Sequence, residues 1–250
     1  MLKKTSHQRV SWLAAIVIAL LAPGAALADE PASMTPFSAT YTVRYGILRG
    51  TMNLALDREE DGYSYRTSLA PRGFASWLRK GEIRETTRLL DASGELQPVD
   101  YVSTDTIARP ERRIHYYFDR VAGTVTGEYK STAVDKPMRA GGHNRISAQV
   151  AIMQALQSGT RLTRIAVFDR ARWKEFEFQV LPDQAVNTPA GEFETVEVRY
   201  SSPGDDKEWS LHCAPSLDYL PVMIVFSENG KVKSRAALKD YAFAEPFPLE

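Results

Sequence analysis

Apolar and polar side chains alternate along most of the chain, with the period of two that is typical of half-buried β-strands. The alternation is cleanest from Phe37 to Tyr45, where every second residue is apolar or aromatic. The dipeptide Asn229-Gly230 lies between two such stretches, which is a strong hairpin signal. The predicted strands cover residues 37–45, 52–56, 63–69, 82–90, 97–104, 112–119, 124–129, 162–168, 173–180, 193–200, 209–213, 222–227 and 231–238. Residues 131–142 are predicted to form a loop.

One stretch has the periodicity of an α-helix instead. Between Asn144 and Gln157, apolar side chains recur every three or four residues. Asn144 is a residue type favoured at helix N-termini, and Gly159 suits the position after a helix that takes positive φ. Small residues widen the apolar face beyond one stripe, so the helix is expected to lie against a sheet rather than in solvent.

Many short strands joined at hairpin spacing predict a mainly β fold. The prediction is an antiparallel curved sheet, or an open or closed β-barrel-like arrangement, with the Asn144 helix packed on it as the one principal helix. The 222 residues after Ala28 suit a single β-rich domain, predicted over residues 37–250, and two small domains are the alternative.

The first 28 residues have the features of a secretory signal peptide. Lys3 and Lys4 precede an apolar run from Trp12 to Leu21, and the small-residue pattern before Asp29 predicts cleavage after Ala28. Residues 29–36 are expected to form a flexible leader. The apolar run is too short to cross a bilayer comfortably. We therefore expect a periplasmic protein without a transmembrane anchor.

Charge and composition argue against several classes of function. The chain has 31 basic and 31 acidic residues, and the signal peptide holds three of the basic ones, so the exported part is slightly acidic and does not resemble a nucleic-acid binder. Cys213 is the single cysteine and is expected to be a small buried hydrophobe. The sequence has no histidine pair at metal-ligand spacing, no nucleophile elbow and no phosphate-binding glycine loop. It thus predicts no metal, no cofactor and no catalytic residue.

A bulky apolar loop is the candidate ligand-binding element. Phe74, Trp77 and Leu78 follow the strand-ending residues Pro71 and Gly73, and loops seldom carry such bulk. Two readings stay open, in which these side chains plug one end of the sheet or form a lip over a ligand pocket.

Two basic runs are compatible with an anionic groove for a lipid headgroup or a glycan phosphate. They are Arg109 to Arg113 and Arg161 to Lys174. Acidic residues lie among them, however, and favour ordinary solvated faces.

Several motifs spread over residues 37–240 carry a family resemblance. They are Tyr41–Gly50, Asp61–Tyr65, Gly73, Gly94 with Pro98 and Tyr101, Phe118-Asp119, the helix opening with Ser147, Thr188–Phe193 and Leu220–Val222. On these motifs the chain resembles the bacterial family called domain of unknown function 3108. The resemblance implies an exported, mainly antiparallel β protein of the Gram-negative envelope, and it supplies no established activity. Asn144 stands where the family often has Asp, which keeps a helix cap but removes a candidate carboxylate.

Three classes of function follow from these observations. The favoured class is a non-enzymatic binding protein for a lipid or another hydrophobic envelope component, with Phe74, Trp77 and Leu78 at the pocket. The alternative is an envelope-assembly module that meets a protein partner through a strand edge or an arginine-rich face. An uncharacterised hydrolase is the least favoured class, because no nucleophile, metal or cofactor motif is visible.

Overall fold

The computed structural model describes residues 34–78, 80–92 and 94–244. The predicted signal peptide and residues 29–33 of the predicted leader lie outside the described residues. The strands are β1 (Phe37–Tyr45), β2 (Leu48–Glu59), β3 (Gly62–Arg72), β4 (Ile83–Ala92), β5 (Glu95–Asp105), β6 (Arg112–Asp119), β7 (Thr124–Tyr129), β8 (Thr132–Pro137), β9 (His143–Asn144), β10 (Arg164–Asp169), β11 (Arg172–Thr188), β12 (Gly191–Ser201), β13 (Lys207–Ala214), β14 (Leu220–Glu228) and β15 (Lys231–Phe243). The helices are α1 (Phe74–Leu78) and α2 (Ser147–Gln157), and Pro215–Leu217 form a 3-10 turn.

All fifteen strands belong to one sheet, in the order β8-β7-β6-β5-β4-β3-β2-β1-β15-β14-β13-β12-β11-β10-β9. Neighbouring strands are antiparallel except β9 and β10, which are parallel. Successive hairpins therefore place their turns alternately at two ends of the sheet. We call the end with the β1–β2, β3–β4 and β14–β15 turns the mouth end, and the opposite end the closed end.

The sheet curls strongly but stays open. The outermost strands β8 and β9 are not paired with each other in the described structure. Side chains cross between the two halves instead: the Trp173 Nε1 group donates to the Pro137 carbonyl at 2.9 Å, and the Ala171 amide donates to Tyr116 Oη at 3.0 Å. The predicted mainly β, antiparallel fold is confirmed, and of the two arrangements considered the open one is observed.

The start of α2 differs slightly from its prediction. The helix begins at Ser147, and Asn144 lies in β9. The Asn144 side chain still caps the helix, because its Oδ1 atom accepts hydrogen bonds from the Ile146 amide at 3.1 Å and the Ser147 amide at 2.9 Å. At the other end Gly159 has a φ of +67°, as predicted for the residue that follows the helix.

The curled sheet encloses α2 on several sides. Val150 and Met153 are fully buried in the main core, and Ile152 packs in a second cluster with residues of β12 and β13. Ala148 packs on a third side against β10. The helix C-terminus lies at the closed end, where the Gln157 side chain donates to the Asp218 carbonyl. The helix is thus packed against the inner side of the sheet.

The loop predicted over residues 131–142 is wrong in its first half. Residues Thr132–Pro137 form β8, which pairs with β7 at one edge of the sheet. An edge strand has one hydrogen-bonded neighbour, and only Val134 of β8 is buried. A single buried residue leaves too little alternation for the strand to be recognised from sequence.

Shortening Met153 should destabilise the fold, because its side chain is fully buried. We expect Met153→Ala to lower the free energy of unfolding by about 2–5 kcal/mol. The matched control Gln157→Ala removes one exposed hydrogen bond and should cost less than about 1 kcal/mol. Urea unfolding of both variants measures the difference, and equal losses would contradict the docking of α2 described above.

The folded state should lose stability in acid through His143. Burial and, next in size, the nearby Arg120 charge together lower the pKa of His143 from its usual 6.5 to about 4. Below about pH 6.5 the unfolded chain binds a proton that the folded chain does not, so stability falls as the pH falls toward 4. We expect a loss of about 2 kcal/mol between about pH 7 and about pH 5 that disappears in His143→Gln. An unchanged pH dependence in urea titrations of that variant would contradict this assignment.

Candidate functional site

Side chains on the inner face of the sheet become more exposed from the closed end toward the mouth end. On β3, Tyr63 and Tyr65 are buried, whereas Thr67 and Leu69 are partly exposed. The same change occurs along the inner faces of β1, β2, β12, β13 and β14. Helix α2 packs against the buried part of this inner face. We call the more exposed part, nearer the mouth, the open interior.

Five partly exposed aromatic residues line one wall of this interior. We call them the aromatic ladder: Phe176, Phe178, Tyr200, Trp209 and Phe226. The strand register places Tyr200 opposite both Phe178 and Trp209, and Trp209 opposite Phe226. Ring centroids are 5.2 Å apart for Phe178 and Tyr200, 5.7 Å for Tyr200 and Trp209, and 5.0 Å for Trp209 and Phe226. The ladder is a continuous aromatic surface.

A charged cluster lies at the inner end of the interior, where α2 begins. Arg145 makes a two-pronged contact with Glu85 on β4, with Nη2 at 2.6 Å from Oε2 and Nε at 3.2 Å from Oε1. Tyr101 Oη donates to the same carboxylate at 2.5 Å. Next to this pair, Asn144 Nδ2 donates to Thr87 Oγ1 at 2.8 Å. Strand β4 therefore holds the start of α2 through Asn144 and Arg145, two consecutive residues just before the helix.

Arg145 stays charged near neutral pH, and Tyr65 and Tyr101 stay neutral. Burial alone would lower the pKa of Arg145, but the Glu85 carboxylate outweighs it and raises that pKa above its usual range. Burial and then Glu85 raise the pKa of both Tyr65 and Tyr101. The Arg145 side chain is nevertheless 53% exposed, so protein groups surround it while solvent still reaches it. Such a combination is expected for a side chain that borders a cavity open to water.

Two buried hydrogen-bond donors near the cluster have no partner among the described residues. They are Tyr65 Oη on the inner face of β3 and Gln149 Nε2, one helical turn after Arg145. A buried polar group left unpaired costs about 1–3 kcal/mol, so such groups are rare without a function. Tyr65 Oη can donate or accept and Gln149 Nε2 can only donate, so an ordered water or another oxygen acceptor within reach would satisfy both.

The sequence-predicted site residues lie at the mouth end. Helix α1 contacts β2 and β3. The Phe74 side chain is 70% exposed and that of Trp77 is 85% exposed, so neither plugs the sheet. The Leu78 side chain lies outside the described residues. The role of these three residues as a lip stays a prediction.

Sequence reasoning missed the aromatic ladder and the Glu85–Arg145 pair as site residues. The alternation of Phe176 and Phe178 was visible in the sequence, but it did not reveal that both rings stay partly exposed beside the clusters that α2 forms with the sheet. Glu85 gave no signal, because a carboxylate on an alternating strand normally faces solvent.

Other candidate groups take structural positions. Cys213 is buried, and burial raises the pKa of its thiol. Arg113 pairs with Glu111 at 2.9 Å and Arg164 with Glu177 at 2.8 Å, as solvated faces do. Within the described ranges, no three His, Cys, Asp or Glu side chains group as metal ligands, and no helix has the length and apolarity to cross a membrane.

Replacing Arg145 should destabilise the fold by leaving Glu85 without its partner. We expect Arg145→Met to cost on the order of 2–3 kcal/mol, at the low end for a buried pair because Arg145 is half exposed. The double variant Glu85→Gln with Arg145→Met removes both charges and should recover part of that loss. Urea unfolding of the single and double variants measures the coupling, and purely additive losses would contradict a direct interaction.

No curated protein sequence matches the chain. Among solved structures, a beta-barrel-like protein of domain of unknown function DUF1849 from Brucella abortus is similar in fold, with a TM-score of 0.58 and 11% identity over 86% of this chain and 100% of that one. Two weaker similarities are to a “putative exported protein with YmcC-like fold” from Bacteroides fragilis and a “putative lipoprotein” from Parabacteroides distasonis. Their TM-scores are 0.36 and 0.33, with 13% and 12% identity. Each similarity covers 84% of this chain, and it covers 97% of the Bacteroides protein and 96% of the Parabacteroides protein.

The resemblance found in the sequence motifs is confirmed by a family-level match. The model of the family described as protein of unknown function (DUF3108) covers residues 39–235. This range includes β2 to β14 entirely, together with α2, Glu85 and the aromatic ladder. The chain therefore belongs to the DUF3108 family.

Proposed function

We propose that the protein is an exported, non-enzymatic binding protein that holds an elongated hydrophobic molecule, such as a lipid acyl chain, in its open interior. The aromatic ladder carries this proposal. A packed core covers its aromatic side chains, whereas Phe178, Tyr200 and Trp209 stay partly exposed on a concave face. Concave, mostly apolar surfaces with a few polar groups are the usual form of small-molecule sites.

The polar groups at the inner end suit a ligand that has an oxygen-bearing end. Tyr65 Oη and Gln149 Nε2 lack acceptors, and Arg145 borders the interior while its charge is balanced by Glu85. A carboxylate or ester oxygen would accept hydrogen bonds from such donors. The apolar chain of the ligand would then lie along the ladder toward the mouth end.

The predicted lip fits the same arrangement. Helix α1 follows β3 at the mouth end, and Phe74 and Trp77 project there into solvent. Exposed side chains of this size are suited to contact the part of a ligand that emerges from the interior. Export by the signal peptide would place the protein among envelope lipids.

A bulky residue on the inner face should block binding. Thr67 faces the interior, and its neighbour Ser68 faces outward on the same strand. We expect Thr67→Trp to weaken binding of a fluorescent fatty acid at least about tenfold, whereas the matched control Ser68→Trp binds like the unmodified protein. Equal affinities in both variants would show that the fatty acid does not enter the interior.

Native mass spectrometry of protein from its own periplasm, followed by organic extraction, identifies a co-purifying ligand. We expect an extractable lipid that is reduced in Trp77→Asp. A protein that carries no lipid, takes up no fluorescent fatty acid and captures an envelope protein would instead support the interaction-module alternative.

A further inference from the structure

Four arginines lie side by side on the outer face of the sheet near the mouth end. The strand register places Arg235 of β15 opposite Arg44 of β1, Arg44 opposite Arg49 of β2, and Arg49 opposite Arg72 of β3. We call these four residues the arginine row. All four are exposed, and with adjacent strands about 4.8 Å apart the row spans roughly 15 Å.

The arginine row has no acidic counterpart in the described structure. None of its members makes a salt bridge there, although fourteen such contacts are found elsewhere. Like charges directly opposite each other on neighbouring strands destabilise a sheet. Three such pairs of neighbouring arginines are therefore unfavourable for folding, and an anionic partner would relieve the repulsion between them.

Two shallow grooves run along the row. Arg44 lines both, and Pro189 in the β11–β12 turn forms a wall of each. Lys239 adds a further cation to one groove, and Lys233, which pairs with Glu228 at 3.8 Å, lines the other. Neither groove has an Asp or Glu in its lining. The surface is thus a continuous basic strip with recesses beside it.

Exposed apolar side chains extend beyond the row at the same end of the molecule. Ile47 in the β1–β2 turn, between Arg44 and Arg49 in the chain, is 92% exposed. Trp77 follows shortly after Arg72 and is 85% exposed. We call Ile47 and Trp77 the apolar tips. Apolar tips just beyond a basic belt are the arrangement found in proteins that lie in a lipid interface, where the tips enter the acyl boundary and the cations meet the headgroups.

We propose that the arginine row and the apolar tips dock the mouth end onto a membrane surface rich in anionic phospholipid. An acidic protein would be matched by the row, but it would leave the apolar tips in water. A lipid surface satisfies both. The inference rests on the proposed function in one respect, because docking in this orientation turns the open interior toward the membrane from which a lipid would be taken.

Vesicle flotation of the purified exported chain tests the docking. We expect binding to vesicles of equal parts phosphatidylcholine and phosphatidylglycerol, little binding to phosphatidylcholine alone, and weaker binding at high salt. Replacing Arg44 and Arg49 together by Gln should lower the partition coefficient about 30-fold. The same variant should be at least as stable as the unmodified chain, because it relieves like-charge repulsion.

The matched control is Arg88→Gln with Lys136→Gln, which removes the same charge from exposed positions outside the row. It should bind vesicles nearly as the unmodified chain does. Ile47→Ser with Trp77→Ser should also weaken vesicle binding, since it removes the apolar tips.

Equal losses in the arginine-row and control variants would overturn the proposal, as would equal binding to both kinds of vesicle. The proposal would also be overturned if the chain bound no vesicles and instead bound an acidic protein through the arginine row. Fatty-acid uptake separates this outcome from the proposed function. The Arg44 and Arg49 variant should take up the soluble fatty acid normally, whereas an unmodified chain that takes up none defeats the interior site whatever the vesicles show.

Discussion

The contacts between strand β4 and the residues just before α2 fix the position at which the helix begins inside the curled sheet. Glu85 and Thr87 lie two residues apart on the inner face of β4, and they bind the consecutive residues Arg145 and Asn144. From that point α2 runs to the closed end, where Gln157 contacts the chain near the β13–β14 turn. Nearer the mouth, inner-face side chains such as Leu69 and Trp209 are partly exposed, and the proposed function assigns this surface to a ligand.

An uncovered apolar interior is unfavourable in water, at about 25 cal/mol for each Å² of apolar surface left exposed. The aromatic ladder and the unpaired donors Tyr65 and Gln149 both leave stability unrealised in the same region. The folded state is stabilised instead by the closed-end core around Val150 and Met153. This division of a closed-end core from a more exposed mouth is the physical basis of the proposed binding function, because a bound ligand would recover stability that the chain alone does not have.

The two proposed surfaces arise from the same short stretches of strand. Side chains alternate between faces, so Val43 packs inward while Arg44 joins the outer arginine row. In the same way Leu48 and Arg49 belong to opposite faces of β2. An interior for an apolar molecule and a basic outer strip consequently lie at one end of the sheet, separated by the thickness of the backbone.

The local pattern of residues determined the strands, the Asn229-Gly230 hairpin and helix α2, because alternation, turn residues and caps act over a few neighbouring positions. The hairpin has positive φ at both Asn229 and Gly230, as its sequence predicted. The tertiary structure alone decided where α2 lies inside the curled sheet, that Arg145 contacts Glu85, and that four arginines become neighbours. Arg44 and Arg235 lie near opposite ends of the chain, and only strand register brings them together. Register follows from long-range pairing across the whole sheet, which no local pattern contains.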